Sequence, residues 1–220
     1  MALPKRFTAA AGAITLALAL AACGSDDTTA TDTGAGSPSA AAPSESASAT
    51  SPGAGAVSEE HNDADIAFTQ MMIVHHRQAV SMADLAVDRA ESAEVKSLAE
   101  AISAAQGPEI ETMTGLLRAW DAEVPEGMSM EGMGGMGGMD MGAMPGAMTP
   151  EMMDELMAAQ GTAFDRMFLE MMTAHHNGAI EMARTEQAEG QNPQALELAA
   201  TIETDQSGEI EEMRQILASL

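Results

Sequence analysis

A chain of 220 residues with 34 acidic and nine basic side chains carries a formal net charge of −25, which disfavours nucleic acid as a partner and concentrates cations near the surface. Its single cysteine excludes an internal disulfide, so export to an oxidising compartment would not staple the fold. Aromatic residues make up 2% of the chain and methionines number 21, so Met, Leu, Ile and Ala must fill most of any core.

The N-terminus places Lys5 and Arg6 before an apolar run from Phe7 to Ala22, the pattern of a secretory signal peptide over residues 1–22. Leu20-Ala21-Ala22-Cys23 resembles the lipobox of bacterial lipoproteins. That resemblance implies cleavage before Cys23, lipid attachment to it, and a chain anchored on the extracellular or periplasmic side of the cell membrane. Loss of the leader removes two bases and no acid, taking the charge from −25 to −27. Residues 23–57 are Ser, Thr, Ala, Gly and Pro with scattered acids. They offer too little apolar surface to fold and read as a disordered tether.

From residue 58 the pattern changes. Phe68, Met72, His75, Ala79, Met82 and Ala86 fall at the three-and-four spacing of an amphipathic helix. Leu98, Ile102, Gln106, Glu109, Met113, Leu117 and Trp120 give a second such helix, with Ser92 placed to cap it. The same hairpin returns one hundred residues later: Met71-Met72-x-x-His75-His76-x-x-Ala79-x-x-Met82-Ala83 becomes Met171-Met172-x-x-His175-His176-x-x-Ala179-x-x-Met182-Ala183. Asp65, Phe68, Leu98, Ile102, Gln106, Glu109, Ile110, Glu111, Met113 and Leu117 recur at the same offset. Two copies are too few for a solenoid, so the duplication predicts one pseudo-symmetric domain. Asn192-Pro193 supplies an N-cap and first helical residue at the second turn.

Repeat 1 (58–121) and repeat 2 (150–220) are separated by a Gly/Met-rich crossover over 122–149, after which Thr149-Pro150-Glu151 restarts a helix. Two antiparallel hairpins joined by one long crossover predict an all-α, ferritin-like four-helix bundle over residues 58–220.

Residues equidistant from a hairpin turn lie side by side. His75 and His76 should therefore be level with Gln106 and Glu109, and His175 and His176 with Gln206 and Glu209. At about 100° per residue His75 sits mid-face and should point to the core, whereas His76 lies at the flank, near a helix interface. A carboxylate on an apolar stripe needs compensation by a histidinium, a metal ion or water. Pro108 beside Glu109 should kink its helix. Imidazole, thioether and carboxylate together suit copper better than magnesium or calcium, which take oxygen ligands. A buried Glu-His pair that only fixes helix register is the competing reading. In the crossover, Met128, Met130, Met133, Met136, Met139, Met141, Met144 and Met148 recur every two to four residues. Thioethers do not protonate, so this run is a second candidate site, for Cu(I) or Ag(I).

The repeated motif, followed by Gln106-x-x-Glu109-Ile110-x-x-Met113, resembles the secreted bacterial family known as domain-of-unknown-function family 305, over about Asp63 to Leu220. The resemblance implies a ferritin-like bundle and, from some relatives, copper binding and copper tolerance in the cell envelope. By position it carries over Met72, His75, His76, Glu109 and Met113, with Met172, His175, His176, Glu209 and Met213, as metal ligands. The leading expectation is thus a non-enzymatic envelope lipoprotein that sequesters or passes on copper; its protein partner is unknown. A metal-free interaction module is the alternative. A dinuclear iron or manganese oxidase would need Glu-x-x-His on two helices. Here Glu170 lies five residues before His175, and Gln70 stands at the equivalent position of the first copy.

Overall fold

The computed structural model describes residues 57–126 and 144–220, and the described residues contain five helices and no strand. The leader, Cys23 and the tether up to residue 56 lie outside them, as do Met128, Met130, Met133, Met136, Met139 and Met141.

Helices α1 (Asp63–Arg89) and α2 (Ala93–Ala119) form the first hairpin, α4 (Gly161–Glu189) and α5 (Pro193–Ser219) the second, and short α3 (Pro150–Ala158) precedes α4. Each long helix spans about 40 Å. The starts follow the capping chemistry in the sequence. Asn62 accepts from the amides of Ala64 and Asp65 while Asp65 reaches back to the Asn62 amide, a capping box. Ser92 and Asn192 cap α2 and α5. α2 runs on through Pro108 as one helix, so the proline removes a backbone donor without ending the element.

The helix restarted at Pro150 is shorter than its position in the second repeat suggests. It stops at Ala158, because Ala159 and Gln160 adopt extended backbone and Gly161 takes φ +59°, a left-handed value that suits glycine. The second half therefore carries an extra element, and the bundle proper is α1, α2, α4 and α5.

The α1/α4 pair joins the two hairpins, and two equivalent aspartates fix its direction. Asp65, at the start of α1, accepts from the amides of Gln191 and Asn192 in the α4–α5 turn. Asp165, at the start of α4, accepts from those of Glu91 and Ser92 in the α1–α2 turn. Each hairpin thus latches the turn of the other, which sets α1 and α4 antiparallel about a pseudo-twofold axis. Both carboxylates are buried, at 0% and 1% exposure. Among the causes acting on Asp65, burial raises its pKa, but the amides of Asn192, Asn62 and Gln191 and the Glu186 side chain hold it below the ordinary carboxylate value.

The core divides into two apolar clusters, each drawn from both hairpins. One gathers Met82, Leu98, Ile102, Phe164, Phe168, Met172 and Met213; the other gathers Phe68, Met72, Met113, Leu117, Ala183 and Ile202. His75, His76, His175, His176, Gln106 and Gln206, all buried, form a polar layer at mid-helix.

Candidate metal centre

The polar layer is built from the middle of the four long helices. His76 lies at the α1/α2 seam, where its Nε2 meets Glu109 Oε2 at 2.8 Å; His176 repeats this at the α4/α5 seam with Glu209 Oε2 at 2.6 Å. The glutamate side chains keep 17% and 18% of their surface exposed while both imidazoles are sealed. The pairs therefore open at one end to solvent. His75 and His175 turn inward, as mid-face residues should, and their rings stack across the pseudo-axis at 3.6 Å between centroids.

Donor and acceptor chemistry assigns the tautomers. His75 Nε2 lies 3.1 Å from the carbonyl oxygen of Pro145, which only accepts, so the nitrogen carries the proton. A carboxylate likewise accepts from Nε2 of His76 and His176. The Nδ1 atoms of all four histidines are buried without a partner. His175 has no partner at Nε2 either; Gln106 and Gln206 also contribute unpartnered amide atoms. Buried polar atoms in this number need water or a ligand to pair them, since each unsatisfied group costs about 1–3 kcal/mol.

Charge in this layer is suppressed. Burial, followed by repulsion from His76, pushes His75 down to about 3 despite its bond to Pro145. Burial and the neighbouring imidazoles hold His175 well below its ordinary value. Both rings stay neutral and keep their lone pairs across the physiological range.

Met72, Met113, Met172 and Met213 are fully buried in the flanking clusters, and the Thr173 hydroxyl donates to the Met213 sulfur at 3.5 Å. These four thioethers thus belong to the two apolar clusters of the core. Among the described residues, however, no three His, Cys, Asp or Glu side chains are arranged as a ready ion cage. Glu109 and Glu209, expected as ligands, meet Nε2 of His76 and His176, a position from which a carboxylate can orient an imidazole. His75 makes no hydrogen bond to Gln106 or Glu109; its Nε2 meets the Pro145 carbonyl and its ring stacks on His175 of the second hairpin.

The end of the crossover closes over this layer. Gln78 brackets the Met148 backbone, donating to its carbonyl at 2.9 Å and accepting from its amide at 2.7 Å. Gly146, at φ +71°, lies against the Ala174 and His175 carbonyls, and a Cβ on Gly178 would overlap the Pro145 carbonyl. Met144 and Met148, expected as loop ligands, are buried at 8% and 3% exposure as part of the two apolar clusters. The start of the crossover is also fastened to α1: Gln70 donates to the Glu123 carbonyl, and Arg77 to those of Pro125 and Glu126. Sequence reasoning missed this strap. Its signal was a break in the motif's middle, Arg77-Gln78 against Asn177-Gly178, where the two copies differ in charge and in size.

A duplicated antiparallel bundle with a buried layer of four histidines at its centre defines the class. Within it, the chain belongs to the family described as Domain of unknown function (DUF305), whose model matches residues 65–217. A DUF305 protein from Streptomyces coelicolor, described as secreted, is 31% identical over 71% of this chain and 91% of its own, with a TM-score of 0.61. A DUF305 fragment from Deinococcus radiodurans is 28% identical, covering 72% of this chain and 98% of its own, with a TM-score of 0.62. CopM in its Cu(II)-bound form is 34% identical over 70% of this chain and 96% of its own, at a TM-score of 0.57, and CopM has also been solved with Cu(I) and with silver. None of the curated proteins compared matches the chain.

Proposed function

We propose that the protein binds copper as cargo in the cell envelope, sequestering it or passing it on in copper tolerance. The observation that carries the reading is the set of four buried imidazoles with free Nδ1 atoms, three of them oriented from outside by Glu109, Glu209 and the Pro145 carbonyl. Neutral nitrogen and buried thioether favour a copper ion over an oxygen-seeking one. The relation to CopM, solved with Cu(I) and Cu(II), supports the same choice. In this reading His75, His76, His175, His176, Met72, Met113, Met172 and Met213 supply ligands after small side-chain shifts, while Glu109 and Glu209 fix the rings. The crossover methionines, from Met128 to Met148, are a second capture segment. Support for that role is their composition and the attachment of both ends of the segment to α1 near His75.

Anchoring through a lipid on Cys23 completes the proposal and rests on the leader and lipobox pattern. Among the described residues no helix is long and apolar enough to cross a membrane, and the Streptomyces relative is described as secreted. The absence of a ready cage favours one second reading, in which the His-Glu pairs only fix helix register. Titration of the purified protein with Cu(I) under reducing conditions and with Cu(II), against competing chelators, separates the two. Binding tighter than about micromolar that weakens in the His75→Phe/His175→Phe double variant supports the copper centre; absence of such binding for both ions overturns it.

A further inference from the structure

The helices around the histidine layer differ in stiffness. α1 contains no glycine or proline, and the one interior glycine of α4, Gly178, is packed against the Pro145 carbonyl. α2 and α5 are instead weakened at the level of the His-Glu pairs. Gly107-Pro108 directly precedes Glu109, and Ser207-Gly208 directly precedes Glu209. A Cβ on Gly107 or Gly208 would meet nothing within 4 Å, so neither glycine makes room for a neighbour.

Each turn is weak for its own reason. Pro108 cannot donate to the carbonyl four residues back, and its ring crowds that carbonyl. Ser207 donates its hydroxyl to the Glu203 carbonyl at 2.6 Å, and Thr112 donates to that of Pro108 at 3.0 Å, bonds that tend to bend a helix. Glycine adds backbone freedom to both turns. The two copies reach the same weakness with different residues at the same place, so what they share is the weakness and not a particular contact. Glu109 and Glu209 lie at its edge with 17% and 18% of their side chains exposed, over imidazoles at 0%.

We propose that these turns are doors: residues 104–109 of α2 and 204–209 of α5 open locally and carry Glu109 and Glu209 off His76 and His176, giving an ion its way into the sealed histidine layer. The identity of the ion rests on the copper reading. Sealed imidazoles are reached only by an opening, and local opening is easiest where backbone order is weakest. The free and the loaded protein are closed alike, so a door sets the rates of entry and release together and leaves the equilibrium affinity unchanged.

Stopped-flow uptake of Cu(I) or Cu(II), chelator-driven release, and hydrogen exchange of the metal-free protein test the doors. Amides of residues 109–112 and 209–212 should be protected at least about tenfold less than those of residues 98–101 and 198–201, at comparable depth from the other ends of α2 and α5. Gly107→Ala/Gly208→Ala should slow uptake and release alike by about two- to fivefold. Both doors must be changed, since either one admits the ion. Adding Pro108→Ala and Ser207→Ala should extend the slowing to about tenfold or more. Gly115→Ala is the control, an exposed α2 glycine with open space around it and Gln215 at the equivalent position; it should leave both rates unchanged. If neither copper ion binds, the copper reading falls by itself. The doors are then judged by carbethoxylation of His76 and His176 in the metal-free protein, read by mass spectrometry, which the four-substitution variant should slow by the same factor. Unslowed uptake, or unslowed carbethoxylation where copper does not bind, would overturn the proposal. So would equal slowing by Gly115→Ala, a loss of affinity in step with the rate, or uniform exchange along α2 and α5.

Discussion

The imidazoles of His75 and His175 stack across the pseudo-twofold axis with ring centroids 3.6 Å apart and planes tilted by 31°. Two neutral rings tolerate this closeness, whereas two cations would repel. Replacing His75 by Phe keeps a flat ring in the stack and forfeits only the bond to Pro145. The Pro145 carbonyl loses its donor, so stability should fall by about 1–3 kcal/mol, while copper affinity falls at least about tenfold. Urea unfolding and chelator competition on the same preparation measure both; unchanged affinity would remove His75 from the site.

Glu109 and Glu209 act on the metal through His76 and His176 in this picture. Glu109→Gln keeps an acceptor for Nε2 and none of the charge, so the fold should persist and copper affinity should fall by about 10- to 100-fold. The Glu109→Gln/Glu209→Gln pair should show that loss at both seams. A carboxylate that ligated copper directly would instead leave a changed coordination spectrum in the single variant, and X-ray absorption distinguishes the cases.

Asp65 and Asp165 latch opposite ends of the bundle. Each aspartate-to-alanine change leaves at least two amides of a turn without their acceptor, at about 1–3 kcal/mol for each that stays buried. Asp65→Ala and Asp165→Ala should each cost about 3 kcal/mol. They lie at opposite ends of helices about 40 Å long, so the double variant should show nearly additive loss in urea titrations.

Glu186 gives stability a pH dependence of known sign. Burial, then the Asp65 carboxyl beside it, raises its pKa from 4.5 to about 8. Below 4.5 the native and unfolded chains both hold the proton. Between 4.5 and about 8 only the native state retains it, so rising pH favours unfolding by up to about 1.4 kcal/mol per unit. Above 8 both states are ionised and the slope vanishes. Glu186→Gln should therefore gain stability relative to the parent as pH rises from 5 to about 8.5, and a constant difference across that window would contradict the assignment.

The architecture was legible because helix period, capping residues and the one-hundred-residue offset all specify the same hairpins. The meeting of His76 with Glu109 followed from counting residues back from the turn. What escaped was whatever depends on contacts between hairpins. The register of His75 on His175 is set by Asp65 and Asp165, whose recurrence was visible but whose targets lie more than seventy residues away. The break after α3 depends on backbone angles at Gly161, which composition alone does not reveal. Spacing puts Glu109 and Glu209 beside the histidines without saying which ring nitrogen each approaches. The strap needed Gly178, and a lone glycine in a helical pattern reads first as a weak residue, not as room for another chain segment.

The fastening of the crossover at Arg77 on one side and Gln78 on the other separates the length of that segment from the stability of the bundle. Residues 127–147 lie between the Glu126 and Met148 carbonyls that Arg77 and Gln78 hold, and each doubling of a connection's length costs only about 0.6 kcal/mol in closure entropy. Methionines can therefore be gained or lost there with almost no effect on the four helices. Composition of that segment and the scaffold are free to evolve at different rates within one chain.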